Sequence, residues 1–170
     1  MKKTISLCIA LSISLFAYAG GNPEHVSFPE AYKTEFIQYD TRNRVNGKQL
    51  AVMHANEIAI NSVKDGKLAD GSKIIMEIYK AKLDDDGNKI TNSAGLFEKG
   101  KLAAVAVMEK RSDWDSSFST EDRAENWGFA IYNTDGSPKE NKLECAACHT
   151  PLPDSDYMFS FSSLADFNKK

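Results

Sequence analysis

The chain has 170 residues, of which 21 are Lys or Arg and 24 are Asp or Glu, and its formal net charge at pH 7 is −3. This length suits one domain with a single hydrophobic core. The acidic balance argues against nucleic acid or an anionic membrane surface as a partner, since both attract basic proteins.

Residues 1–19 have the three parts of a secretory signal peptide. Lys2 and Lys3 form a short basic region, residues 5–16 are nearly all apolar, and Ala17-Tyr18-Ala19 is a small-x-small cleavage signal. The apolar run is shorter than the roughly 20 residues that a membrane-spanning helix needs, so we expect no membrane span after cleavage. The sequence predicts an exported domain, residues 20–170, with about five net negative charges and the bacterial periplasm as its compartment.

Two short helices are predicted in the first half of the domain. The segment 29–39 has Pro29 in its first turn, with aromatic and apolar residues at helical spacing. The segment 53–67 has apolar residues on one face and Gly66 as a stop signal.

Three strands are predicted after these helices. The segment 73–83 is rich in β-branched and aromatic residues, 102–108 is an unbroken apolar run of strand length, and 128–132 is similar. The unbroken run predicts a strand covered on both faces, and 84–88 is a turn sequence. We therefore expect an α+β fold, mainly an antiparallel sheet with a few short helices.

The pentapeptide Cys145-Ala146-Ala147-Cys148-His149 has the spacing of a c-type haem attachment site. Each thiol would form a thioether with the haem, and His149 would be the proximal ligand of the iron. Three other interpretations are a reducible Cys-x-x-Cys pair, half of a zinc site and a structural disulfide. A zinc site would need further ligands, and the other histidines, His25 and His54, are isolated in the sequence.

Beyond this motif, the sequence resembles the family that contains cytochrome P460 and cytochrome c′-beta. The resemblance covers most of the exported chain. The segments that carry it are Phe28-Pro29-Glu30-Ala31-Tyr32, Asp70-Gly71, Asn126-Trp127-Gly128-Phe129, Glu144-Cys145-Ala146-Ala147-Cys148-His149 and Asp156-Tyr157-Met158-Phe159-Ser160. It implies a mainly antiparallel β domain with covalently bound haem c and iron, usually as a homodimer.

The family has two chemistries, and this chain departs from one of them. In P460-type members a Lys on the strand after Asp-Gly bonds to the haem ring, and the enzyme oxidises hydroxylamine with help from a distal carboxylate. Aligning this chain on Asp70-Gly71 places Met76 at the position of that Lys. Lys73 is expected on the opposite strand face, and Lys80 shares the parity of Met76 but lies about 13 Å further along. The next strand, 102–108, contains no charged residue.

Both departures favour the c′-beta branch, which implies a five-coordinate iron that binds nitric oxide or similar diatomic gases in an apolar distal pocket. Met76, Phe36 and Phe97 are candidates for that pocket, and Phe129 is a further aromatic candidate. We expect a gas-binding haem protein rather than an enzyme, with an unidentified periplasmic redox partner.

The sequence leaves two alternative functions open. One is a hydroxylamine-oxidising enzyme of the P460 type. The other is an electron-transfer cytochrome whose iron has a sixth protein ligand, for which the thioethers of Met53, Met76, Met108 and Met158 and the imidazole of His54 are candidates.

Overall fold

The computed structural model describes residues 21–169, so the predicted signal peptide lies outside the described residues. Five strands form one antiparallel sheet in which the order in space equals the order in the chain. These strands are β1 (Ile37–Asn43), β2 (Gln49–Ala55), β3 (Lys73–Ala81), β4 (Lys99–Lys110) and β5 (Trp127–Tyr132). Four short α-helices accompany them: α1 (Tyr32–Glu35), α2 (Glu57–Ser62), α3 (Cys145–His149) and α4 (Phe161–Phe167). The predicted α+β fold with a mainly antiparallel sheet is confirmed.

The strand register gives the sheet two distinct faces. Met76 in the central strand β3 lies opposite Met53 of β2 and Ala106 of β4. Because side chains alternate along a strand, these three residues share one face, which we call the front face, while Ile75 and Glu77 lie on the back face.

The front face is covered by helices. Ala59 and Ile60 of α2, Ala146 of α3 and Leu164 of α4 pack in one cluster with the front-face residues of the sheet. Methionine, alanine and phenylalanine side chains supply much of the sheet's contribution to this cluster. Ala146 lies between the two cysteines, so its packing places the Cys-x-x-Cys-His segment on the front face.

The back face is covered by residues 21–36, which we call the N-terminal segment, and by the loop before β5. Val26 and Tyr32 from the first and Phe118 from the second pack on Ile75 and Val105 of the sheet. The apolar run of β4 is therefore covered completely on the back face only, because Ala106 and Met108 on the front face stay partly exposed. The expected cover on both faces is confirmed in part.

The predicted helix over 29–39 is largely wrong. The helix α1 spans only Tyr32–Glu35, and Phe36 is already extended, with φ −101° and ψ 147°. Ile37 pairs with Ala55 of β2, so tertiary pairing overrides the helical spacing of the segment. β-Branched and aromatic residues at its end favour the strand.

The predicted helix over 53–67 begins four residues too early. Residues 53–55 complete β2, and Asn56 ends the strand and caps α2, because its side chain accepts a hydrogen bond from the amide of Ala59. A 3₁₀ turn follows the helix, and Gly66 stops it with a φ of 81°, as predicted.

The three predicted strands are present, with shifted ends. β3 stops at Ala81, after which residues 82–98 form a projecting arm that returns to β4. The turn at 84–88 is held by Asp84, whose carboxylate accepts hydrogen bonds from the amides of Asp86 and Asn88. No helix within residues 21–169 has the length and apolar character needed to cross a membrane.

Candidate haem site

The two cysteines of the attachment motif lie on the short helix α3. Both thiols are free. Cys145 is partly buried in the front-face cluster and Cys148 is exposed, and burial raises the pKa of the Cys145 thiol to about 11. No group of three or more potential metal ligands of the His, Cys, Asp or Glu type exists within residues 21–169, so the described chain offers the zinc interpretation no complete ligand set.

His149 is held in one orientation by the backbone. Its Nδ1 lies 2.6 Å from the carbonyl oxygen of Tyr157, and a carbonyl can only accept, so Nδ1 carries the hydrogen and donates it. Burial lowers the pKa of His149, which keeps the ring neutral at pH 7. The lone pair is therefore on Nε2, the arrangement that a metal-ligating histidine needs.

Two aromatic rings fix the plane of the imidazole. The ring centroid of His149 lies 4.6 Å from that of Phe129 in β5 and 5.0 Å from that of Phe159. The contact with Phe129 joins α3 directly to the front face of the sheet. Among the three aromatic candidates from the sequence, Phe129 is the one that the structure brings to His149.

A tight turn brings the Tyr157 carbonyl to His149. The amide of Leu152 donates to the carbonyl of His149 at 3.0 Å, and the amide of Tyr157 donates to the carbonyl of Leu152 at 2.8 Å. Asp156 and Tyr157 both have left-handed backbone conformations, with φ values of 48° and 61°. These two consecutive residues reverse the chain so that it returns to the imidazole.

A partly exposed apolar patch lies in the same cluster as the attachment helix and this turn. Met76, Ala106 and Met108 are front-face residues that remain only partly buried, although they lie in the middle of the sheet. Met76 and Ala106 are direct partners across β3 and β4. Two thiols on one short helix, a neutral histidine with Nε2 as its acceptor, and an adjacent apolar patch form a set that would hold a haem.

The three candidates for the distal pocket lie in different places. Met76 is on the front face, where the haem would be held. Phe36 packs on the back-face cluster, so the sheet separates it from Met76. Phe97 is on the arm, where its amide donates to Asn43 at 2.8 Å and the Nζ of Lys89 lies 5.5 Å from its ring centroid.

The candidates for a sixth iron ligand also separate by face. All four methionines belong to the front-face cluster, two of them buried (Met53 and Met158) and two partly buried (Met76 and Met108). His54 lies on the back face, where its Nε2 is 3.3 Å from Glu77. Only the thioethers therefore lie on the face that carries His149.

The carboxylates of the central strands β3 and β4 are directed away from the front face. Lys73 pairs with Glu109 on the back face at 3.3 Å, as the strand parity predicts for Lys73. Lys80 has front-face parity but is exposed near the end of β3. The front positions of β2 to β5 contain no carboxylate; they are Gln49, Ala51, Met53, Ala55, Ile74, Met76, Ile78, Lys80, Ala104, Ala106, Met108, Lys110, Trp127, Phe129 and Ile131.

Sequence reasoning missed a buried polar cluster on the back face. Glu77, which is 5% exposed, accepts hydrogen bonds from Tyr32 at 2.9 Å and Tyr79 at 3.1 Å, and lies beside His54. Burial alone would raise the pKa of Glu77, but the hydrogen bonds from His54 and Tyr32 outweigh it and lower the pKa to about 2. The available signal in the sequence was Glu77 itself, the one acidic residue of the predicted strand 73–83.

Sequence reasoning also missed a buried ion pair that joins β4 to the turn that orients His149. Lys110 at the end of β4 and Asp156 are both buried and in contact. Asp156 belongs to one of the segments that carry the family resemblance, but its partner lies 46 residues away in the sequence.

Comparisons with known proteins identify the family. A search of curated proteins finds no match to the chain. The family model of cytochrome P460 matches residues 29–160, a range that contains the whole sheet, the attachment motif and the turn after it. The chain therefore belongs to the cytochrome P460 family and is a haem protein.

Proposed function

We propose that this protein is a c′-beta-like haem protein that binds nitric oxide or similar small diatomic gases. In this proposal Cys145 and Cys148 attach the haem through thioethers, and His149 ligates the iron through Nε2. The observation that carries the proposal is the apolar middle of the front face, where β2 to β5 contribute no carboxylate. Asp40 of the edge strand β1 is paired with Arg42. The family resemblance places Met76 at the position of the cross-linking Lys.

The chemistry of that face favours neutral diatomic ligands. A haem bound there would supply an iron that can take up a small ligand. Met76, Ala106 and Met108 offer no strong hydrogen-bond donor or acceptor to a ligand, so water and anions would lose hydration without compensation. Nitric oxide and carbon monoxide lose little by entering such an environment.

The same face disfavours the hydroxylamine-oxidising alternative. That chemistry requires proton transfer, for which a carboxylate within hydrogen-bond reach of the substrate is the usual group. Glu77 and Glu109, the carboxylates of β3 and β4, lie on the back face in pairs with other residues. A thioether at position 76 also has no amine with which to bond to the ring.

The electron-transfer alternative rests on the methionines. Met76 and Met108 are partly buried thioethers on the front face, and a Met ligand would fill the open position of the iron. Met76 is the first candidate because the family alignment places it beside the haem. The spin state of the iron separates the two proposals.

The decisive experiment is spectroscopy of the exported protein and of two variants. Intact mass after acid-acetone extraction should show haem on the polypeptide, because the thioethers survive the extraction. Resonance Raman spectra of the parent, Met76→Ala and the matched variant Met108→Ala should then show high-spin five-coordinate ferrous iron in all three, and each should take up nitric oxide.

Three results would contradict the proposal. A polypeptide mass without haem would refute covalent attachment. A low-spin six-coordinate ferrous parent that one methionine substitution converts to high spin would identify an electron-transfer cytochrome. Steady oxidation of hydroxylamine by the parent would favour the enzyme branch.

We also propose a periplasmic location and a homodimeric state, on the basis of the signal-peptide pattern and the family resemblance. Periplasmic fractionation of the full-length chain and sedimentation of the purified protein test these two proposals.

A further inference from the structure

We propose that the buried ion pair between Lys110 and Asp156 positions the proximal histidine. The pair holds the 150–158 turn in the conformation that keeps the Tyr157 carbonyl on Nδ1 of His149, and thereby sets the strength of His149 as an iron ligand. This inference rests on the proposed function, in which His149 ligates the iron.

The ion pair is buried and makes two close contacts. The Nζ of Lys110 lies 2.8 and 2.9 Å from the two carboxylate oxygens of Asp156, and the side chains are 8% and 1% exposed. One of these oxygens also accepts a hydrogen bond from the amide of Leu68 at 2.9 Å. The carboxylate therefore joins the turn to β4 and to the loop before β3.

The position of Asp156 in the turn explains how the pair acts on His149. Asp156 and Tyr157 are the two consecutive left-handed residues of the turn, and neither is a glycine. Side chains disfavour this conformation, so contacts elsewhere must hold it in place. The Asp156 side chain supplies such contacts directly before Tyr157, whose carbonyl is 2.6 Å from Nδ1.

β4 connects the ion pair between Lys110 and Asp156 with the apolar patch on the front face. Lys110 follows Met108 on the same face of the strand, and the Nζ of Lys110 lies 5.6 Å from the ring centroid of Trp127 in β5. The strand that contributes Ala106 and Met108 to the patch thus also fixes the turn that orients the imidazole. A shift between patch and histidine would require breaking this ion pair.

A function in positioning accounts for the charged residues better than packing does. A buried ion pair is weak evidence for stability, because well-packed apolar residues often stabilise the same site equally or better. Its geometry is directional, however, and here it fixes a backbone carbonyl that accepts from His149. A hydrogen bond that the second ring nitrogen of a ligating histidine donates to an acceptor raises the basicity of the ligating nitrogen.

The test is the iron–histidine stretching band in resonance Raman spectra of the ferrous holoprotein. Lys110→Met should move this band to lower wavenumber or split it, because a loosened Tyr157 carbonyl weakens the hydrogen bond from Nδ1. The nitrosyl form should contain a larger five-coordinate fraction. Lys110→Arg should restore the parent band, and Asp156→Asn, which keeps an acceptor for Leu68, should shift it less than Lys110→Met.

Lys73→Met is the matched control, since it breaks the back-face pair with Glu109 and should leave the band unmoved. Equal shifts in Lys73→Met and Lys110→Met, or a parent-like band in both Lys110→Met and Asp156→Asn, would overturn the positioning inference. If Lys110→Met does not fold, Asp156→Asn decides. A parent protein without any iron–histidine band would instead refute His149 as the ligand and hence the proposed function.

Discussion

Glu77 is a buried carboxylate whose charge depends on its neighbours. It lies in the middle of β3 on the back face, where hydrogen bonds from Tyr32 and Tyr79 and the imidazole of His54 replace the water it loses. Tyr32 belongs to the N-terminal segment, so the carboxylate ties that segment to the sheet. An uncompensated buried carboxylate would be strongly unfavourable.

We predict that Glu77→Gln lowers the free energy of unfolding by about 2–3 kcal/mol at pH 7, because hydrogen bonds to a charged acceptor are replaced by hydrogen bonds to a neutral one. The folded-state pKa of Glu77 is lowered to about 2 from its usual value of 4.5. Its stabilisation is therefore complete above pH 4.5 and is lost as the pH falls towards 2. Urea unfolding at several pH values measures the difference between parent and variant.

Glu98→Gln is the matched control for this prediction. Glu98 pairs with Lys82 at 3.1 Å, but both side chains are about half exposed, and such pairs contribute roughly 0–1 kcal/mol. A Glu77→Gln effect no larger than that of Glu98→Gln, or one independent of pH between 7 and 3, would show that the cluster does not stabilise the fold.

At the residue scale, the sequence was informative where the chemistry is local. Cys145, Cys148 and His149 are nearly consecutive, so their spacing was sufficient to predict a common site. Phe36 was different, because only the pairing of Ile37 with β2 decides which face of the sheet it reaches. The contact between Lys110 and Asp156 could not be predicted, because the two residues are 46 positions apart and each looks like an ordinary charged residue in the sequence.

At the element scale, β5 shows why a glycine interrupts an otherwise bulky strand. Gly128 lies between Trp127 and Phe129, which both face the front, and its own position faces the back. A Cβ there would lie 2.7 Å from the Cγ2 of Val26, 2.9 Å from Trp114 and 3.0 Å from Phe118. The N-terminal segment and the loop before β5 can thus pack directly on the strand.

We predict that Gly128→Ala destabilises the protein by about 1–3 kcal/mol through overpacking. The closest contact is a methyl group of Val26, so Val26→Ala should relieve part of the clash. In a double-mutant cycle, Gly128→Ala should therefore cost less in the Val26→Ala background than in the parent. Additive effects of the two substitutions would show that the back face accommodates the extra methyl group in another way.

The sequence predicted the later elements better than the earlier ones. β3 to β5 have apolar runs long enough to identify, and both turn signals, Gly66 and 84–88, were correct. β1 and β2 were missed because β1 is mostly polar at an edge of the sheet, while the end of β2 merges with the helical pattern of α2. Asn56 marks that boundary as the N-cap of α2. The sequence identifies it as a cap only once the end of β2 is known.

At the scale of the whole molecule, the two faces of the sheet differ in how completely they are covered. The back face has its own cover from the same chain, with Ile75, Val105 and Val107 at most 1% exposed. On the front face, Met76, Ala106 and Met108 keep partial exposure in the middle of the sheet. Partly exposed apolar surface of this kind supports the proposed position of the haem.

We predict that the chain produced without haem attachment is folded but less stable than the holoprotein. The covalent haem stays on the chain when it unfolds, so it stabilises the fold through the apolar surface that it covers on the front face, at roughly 25 cal/mol per Å². The melting temperature of the haem-free chain should therefore be lower by at least about 5 °C. Circular dichroism measures this difference.

The location of the exposed surface can be tested in the same samples. Haem-free protein should bind a hydrophobic dye more strongly than holoprotein, and Met76→Ser should reduce that binding, because Met76 lies in the front-face patch. Val45→Ser is the matched control, since Val45 is a fully exposed residue at a turn and its loss should leave dye binding unchanged. Equal melting temperatures with and without haem, or equal effects of the two serine substitutions, would show that the front face is complete without the haem.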